Sequence, residues 1–147
     1  MTLANRRIDP ATPSHLPGDT ASREVTANIV VLIVEDDTLL RMHAAEMIEE
    51  AGFEVIEANG ADQALIALEA RTDIAIVFTD IDMPGSMNGL KLAQAVAGGW
   101  PQIGIVATSG HFQMRDGDLP EGGRFLPKPY RSHQILGVLH ELADVGR

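Results

Sequence analysis

The sequence predicts an α/β domain in which a parallel sheet is covered by helices on both faces. Three observations carry that prediction. Several apolar segments rich in β-branched residues run without alternation, as strands buried on both faces do. Segments with helical spacing of apolar residues lie between them, giving five strand-and-helix repeats. The chain has 147 residues, 45% of them hydrophobic, which suits one core and one domain.

Residues 1–27 are rich in Pro, Ser, Thr and Ala, show no periodicity, and predict a disordered N-terminal extension. Arg6-Arg7 is followed by no apolar stretch, which excludes a twin-arginine export signal. The domain is assigned to 28–147. Its first strand is Ile29–Val34, a continuous β-branched run. Thr38 is the expected cap of the first helix, whose apolar side is Leu40, Ala44, Met47, Ile48 and Ala51, with a stop at Gly52. Phe53–Ala58 is the second strand, Ala61–Ala70 the second helix and Asp73–Thr79 the third strand. A helix over Gly89–Ala97, a strand at Ile103–Thr108 and a short strand at Arg124–Leu126 follow. The last helix starts near Ser132 and carries Ile135, Val138, Leu139 and Leu142. Between the fourth and fifth strands, Gly117, Pro120, Gly122 and Gly123 predict a fourth helix that is short or irregular.

Composition narrows the function. The net charge is −10, and residues 1–27 are neutral, so all of the acid excess falls in 28–147. A surface of that sign does not suit nucleic acid. The chain has no cysteine, which excludes a disulfide scaffold, a thiolate metal site and a Cys nucleophile. No apolar run approaches the roughly 18 residues of a membrane span, so the expected location is the cytoplasm. The five histidines (His15, His43, His111, His133 and His140) have no metal-binding spacing.

Acidic residues stand at two strand ends, the edge at which open α/β sheets bind ligands. The first strand runs into Glu35-Asp36-Asp37 and the third into Asp80. Neighbouring strands lie about 5 Å apart, so these carboxylates can converge on one pocket if the two strands are adjacent. Clustered carboxylates repel one another unless a cation shares the site, and oxygen-only ligands favour a hard ion such as Mg²⁺. The fourth strand ends in Thr108-Ser109-Gly110, which supplies a hydroxyl. The fifth ends in Pro127-Lys128-Pro129-Tyr130, where flanking prolines restrict the backbone around a lysine.

In combination, VLIVEDD, VFTDIDMPG, TSG and LPKPY resemble the receiver domain of two-component response regulators, from about Asn28 to Gly146. That resemblance implies a flavodoxin-like, CheY-like sheet of five parallel strands in the order 2-1-3-4-5. It implies Asp80 as phosphoacceptor, with Glu35, Asp36, Asp80 and the backbone carbonyl of Asp82 as the Mg²⁺ ligands. Ser109, in preference to Thr108, matches the hydroxyl that binds a phosphoryl oxygen. Lys128 matches the lysine paired with that group, and Phe125 the aromatic switch position. The implied activity is acceptance of a phosphoryl group from a histidine kinase or histidine phosphotransfer protein. Self-catalysed phosphorylation and dephosphorylation would be its only chemistry, and output would go through protein contacts or a phosphorelay. With no effector domain expected after the last helix, a stand-alone receiver without nucleic-acid or membrane partners is the expectation.

Three features depart from the family pattern. The Gly85–Gly89 loop is one residue longer than usual before its glycine, Asp82 adds a carboxylate beside the pocket, and Phe125 has no phenolic hydroxyl. The expected effect of Asp82 is on phosphoaspartate lifetime, by repelling or orienting water. Two alternatives differ in class. Asp80-Ile81-Asp82 resembles the DxD of haloacid dehalogenase-type phosphatases, although that family carries the motif on its first strand. The other is a receiver-like binding module that makes no use of phosphorylation.

Overall fold

The computed structural model of the protein describes residues 29–84, 87–111, 115 and 117–145. The proposed extension over 1–27 and residues Gly85 and Ser86 of the long loop lie outside the described residues. Five strands, β1 (Val30–Val34), β2 (Glu54–Ala58), β3 (Ile74–Asp80), β4 (Gly104–Ser109) and β5 (Arg124–Pro127), form the sheet. Among the described residues four helices accompany them: α1 (Thr38–Glu50), α2 (Ala61–Ala70), α3 (Gly89–Gly99) and α4 (Ser132–Val145). All pairings are parallel and the spatial order is β2-β1-β3-β4-β5, as expected.

Every residue of β1 is buried, which explains its unbroken apolar run. Leu32 and Val34 enter one core with Ala64 and Leu68 of α2 and Leu92 and Val96 of α3. Val31 and Ile33 enter the other with Ala44 and Ile48 of α1 and Ile135 and Leu139 of α4. This two-sided division follows from the period-2 alternation of a strand. Each fully buried Leu or Ile contributes about 1.5–3 kcal/mol of burial, so β1 anchors both layers.

Several boundaries and faces differ from expectation. Asp37, not Thr38, caps α1, its carboxylate accepting the Leu40 N–H at 3.0 Å. Ile29 and Phe53 are buried just outside their strands, while Asp80 and Ser109 are inside theirs. Leu40 is not part of the α1 core. It is 47% exposed beside Leu39 and Met42, and Ala45 takes its place in the interior. Gly52 ends the first helical unit with φ of 102°, a conformation that favours glycine. Between β4 and β5 the described residues contain turns and no helix, in keeping with the Gly and Pro content there.

Candidate functional site

At the carboxyl end of the sheet the central strands bring distant acids together. Val34, the last residue of β1, is registered with Thr79, so Glu35 and Asp80 follow on adjacent strands. The carbonyl-side end of β1 is fixed from two directions. The Glu35 N–H donates to the Ala58 carbonyl at 3.1 Å, and Arg41 Nη1 donates to the Glu35 carbonyl at 2.8 Å. Arg41 Nε also meets Glu57 Oε1 at 3.1 Å. Nothing local in the sequence signals Arg41, whose partners lie six and sixteen residues away.

Glu35 and Asp80 are 7% and 4% exposed, and Asp36 is open to solvent. One carboxylate oxygen from each of the three lies within 4.8 Å of the other two. Asp37 stays outside this group, occupied as the α1 cap. Lys128, just beyond β5, places Nζ 3.3 Å from Glu35 Oε1 and 3.3 Å from Asp80 Oδ1. Its own N–H donates to the Ser109 carbonyl at 2.9 Å, and the Lys128–Pro129 peptide bond is cis. Tyr130 stands edge-on to Phe78 with ring centroids 6.0 Å apart and joins the core below.

The charges are unbalanced. Burial pushes the Glu35 carboxyl above its ordinary pKa; the Asp37 N–H and Lys128 oppose the shift and Asp80 adds to it. Burial likewise raises Asp80, against the pull of Lys128 and the Asp82 N–H. Burial works against the Lys128 charge too, but Asp80 and Glu35 outweigh it and hold the ammonium above its usual value. One lysine therefore faces three convergent carboxylates. An all-oxygen donor set with excess negative charge fits a hard divalent cation.

The other expected residues border this cluster. Ser109, 2% exposed at the end of β4, donates from Oγ to Asp82 Oδ2 at 2.7 Å. The Gly110 N–H reaches the same oxygen at 3.2 Å. Asp82 in turn donates its backbone N–H to Asp80 Oδ1 at 3.2 Å. Thr108 is buried opposite Asp80 in the β3–β4 register, and its carbonyl accepts the Ile81 N–H. Phe125 is half-buried on β5 opposite Ala107. The Asp82–Ser109 contact was not legible in the sequence, because nothing local links side chains 27 residues apart.

Gly89 completes the frame. A Cβ added there would lie 2.0 Å from the Asp80 carbonyl oxygen, 2.7 Å from its carbon and 2.8 Å from Ile81 Cα. The first turn of α3 thus presses directly on the backbone of the buried aspartate, and only glycine permits that approach. A separate cleft at the amino ends of the strands, bordered by Ile29, Asp73 and Gly104, contains none of these residues.

The doubly wound parallel sheet thus carries three acids, a lysine and a hydroxyl at its carboxyl edge, where such sheets bind ligands. Residues 31–140 match the response regulator receiver domain family, and the chain belongs to that family. It is 29% identical over 125 residues to the sensor kinase CckA of Brucella abortus, an alignment covering 82% of this chain and 13% of that protein. It is 29% identical over 134 residues to the transcriptional regulatory protein PdtaR of Mycobacterium tuberculosis, covering 87% of this chain and 62% of that one. The chain therefore spans less than two thirds of either relative. A receiver protein from Sinorhizobium medicae shares the fold with a TM-score of 0.75 and 23% identity, covering 81% of this chain and 97% of that one.

Proposed function

We propose that this receiver domain accepts a phosphoryl group on Asp80 from a histidine kinase or histidine phosphotransfer protein. The single observation that carries the reading is the meeting of Glu35, Asp36 and Asp80 within 4.8 Å, with Lys128 Nζ 3.3 Å from two of them. A carboxylate oxygen of Asp80 attacks phosphorus, the bond from phosphorus to the donor imidazole breaks, and the histidine leaves. A carboxylate nucleophile has no proton to lose, so the protein has mainly to position the phosphoryl group and offset its charge.

Glu35, Asp36, Asp80 and the Asp82 carbonyl are the residues that would hold Mg²⁺, which when bound neutralises carboxylates and polarises phosphoryl oxygens. Lys128 supplies a further positive charge, and Ser109 a hydroxyl donor. Movement of Ser109 towards the new phosphoryl group, with Phe125 repacking into the space left behind, would carry the signal to a protein partner or a further relay. A cytoplasmic setting fits the absence, among the described residues, of any helix long and apolar enough to cross a membrane. Asp80-Ile81-Asp82 stands at the end of β3 and not of the first strand, which argues against the DxD phosphatase reading.

The test is incubation of the chain with acetyl phosphate and Mg²⁺, followed by intact-mass measurement. The wild type is expected to gain one phosphoryl group and Asp80→Asn none. Equal labelling of both proteins would overturn the assignment of Asp80.

A further inference from the structure

We propose that Asp82 is a positioning residue that holds the switch hydroxyl in the resting state, so that phosphorylation must displace it. This inference rests on the reading of Asp80 as phosphoacceptor. Its basis is the pair of bonds converging on Asp82 Oδ2, from Ser109 Oγ at 2.7 Å and from the Gly110 N–H at 3.2 Å.

A serine hydroxyl has one proton to donate, and a backbone amide likewise has one. The Ser109 proton is directed to Asp82, while the hydroxyl oxygen accepts the His111 N–H at 3.1 Å. A phosphoryl oxygen on Asp80 can therefore receive the Ser109 proton only if Asp82 gives it up. The competition is close at hand, because the Asp82 N–H is bonded to Asp80 Oδ1 at 3.2 Å. The two partners of the resting bond differ in setting. Ser109 is buried at the end of a central strand, whereas Asp82 is exposed on the loop and can release its carboxylate to water. Both acceptors are anionic, so switching breaks one charge-assisted hydrogen bond to form another, and loss of the Asp82 contact offsets part of what the phosphoryl contact contributes. Asp82 thereby sets the threshold for switching, in addition to any effect on phosphoaspartate lifetime.

A double-mutant cycle tests this, using beryllofluoride with Mg²⁺ as the phosphoryl probe and calorimetry as the readout. Asp82→Ala is expected to bind the probe about tenfold more tightly than wild type, the scale of one charge-assisted hydrogen bond. In a Ser109→Ala background most of that gain should vanish. An equal gain in both backgrounds would reduce the role of Asp82 to charge repulsion and overturn the proposal. Asp82→Asn keeps an acceptor oxygen without the charge, and its gain should be smaller than that of Asp82→Ala.

Amide hydrogen exchange of Gly110 in the unliganded full chain gives an independent reading. Protection should fall several-fold in Asp82→Ala, and unchanged protection refutes the contact. If protection falls but neither wild type nor variant binds beryllofluoride, the Asp82 contact stands and the phosphoacceptor reading of Asp80 fails.

Discussion

Replacing Gly89 by alanine should destabilise the domain and slow phosphorylation of Asp80. Helix propensity alone predicts the opposite sign, since alanine in a helix is favoured over glycine by about 1 kcal/mol. The packing decides against it. The new Cβ would lie 2.0 Å from the Asp80 carbonyl oxygen, so one of the two backbones must retreat by about 1 Å to reach even a 3.0 Å contact. No flexible side chain stands there to yield, because all three close atoms belong to the main chain of Asp80 and Ile81. Overpacking of this kind costs about 1–3 kcal/mol. Set against a propensity gain that is small in the first turn, the net loss should be about 1–2 kcal/mol. Displacing the carboxylate by that distance should also lower its phosphorylation rate by up to about 100-fold. Urea unfolding and acetyl phosphate labelling measure the two effects on the same protein. A Gly89→Ala chain as stable as wild type, and labelled as fast, would refute the close contact between α3 and the end of β3.

Other predictions concern charge in the pocket. Glu35 and Asp80 both have raised pKa values in the folded chain. Their stabilising contribution is therefore present below the ordinary carboxylate range and is lost as pH rises through the raised values. Without divalent cation, melting temperature should fall as pH rises across that window, and Mg²⁺ should raise it more at pH 8 than at pH 5, as measured by calorimetry. Removing the Lys128 amine with Lys128→Met leaves Glu35 and Asp80 without their shared cation. Urea unfolding should then show a loss of about 1–3 kcal/mol at neutral pH, smaller at pH 4, where the carboxyls accept protons. Arg41→Met removes the donor to the Glu35 carbonyl and should cost about 1 kcal/mol, together with weaker Mg²⁺ binding by titration calorimetry.

The central strands β1, β3 and β4 are legible because they are buried on both sides, which leaves no alternation to misread. Ala61–Ala70 was bounded correctly at both ends, between Gly60 and Arg71. The first helix was read less well. Asp37 and Thr38 are both good caps, and the choice between them depends on backbone geometry that neighbouring residue types do not fix. Leu40 fits the apolar period, yet α1 turns it outward, since a 3.6-residue pattern leaves the width of the buried stripe open. The acids of the site were visible as strand-end residues because topology alone brings adjacent strand ends together. Lys128 to Glu35 spans 93 positions, and Ser109 to Asp82 spans 27. The motifs placed Lys128 at the phosphoryl pocket, but only the folded geometry shows its contact with Glu35 and that of Ser109 with Asp82. The close approach of Gly89 was hidden for the same reason. A glycine before a helix is common, and its necessity here comes from the backbone of another element.

The central claim is that Asp80 carries the phosphoryl group, and trapping the acyl phosphate tests it most directly. The chain, phosphorylated by a phosphohistidine donor protein in the presence of Mg²⁺, is reduced with borohydride and its peptides are sequenced by mass spectrometry. Conversion of residue 80 to homoserine, abolished by removal of the divalent cation, is the predicted result. Reduction at another carboxylate, or labelling that survives in Asp80→Asn, would contradict it.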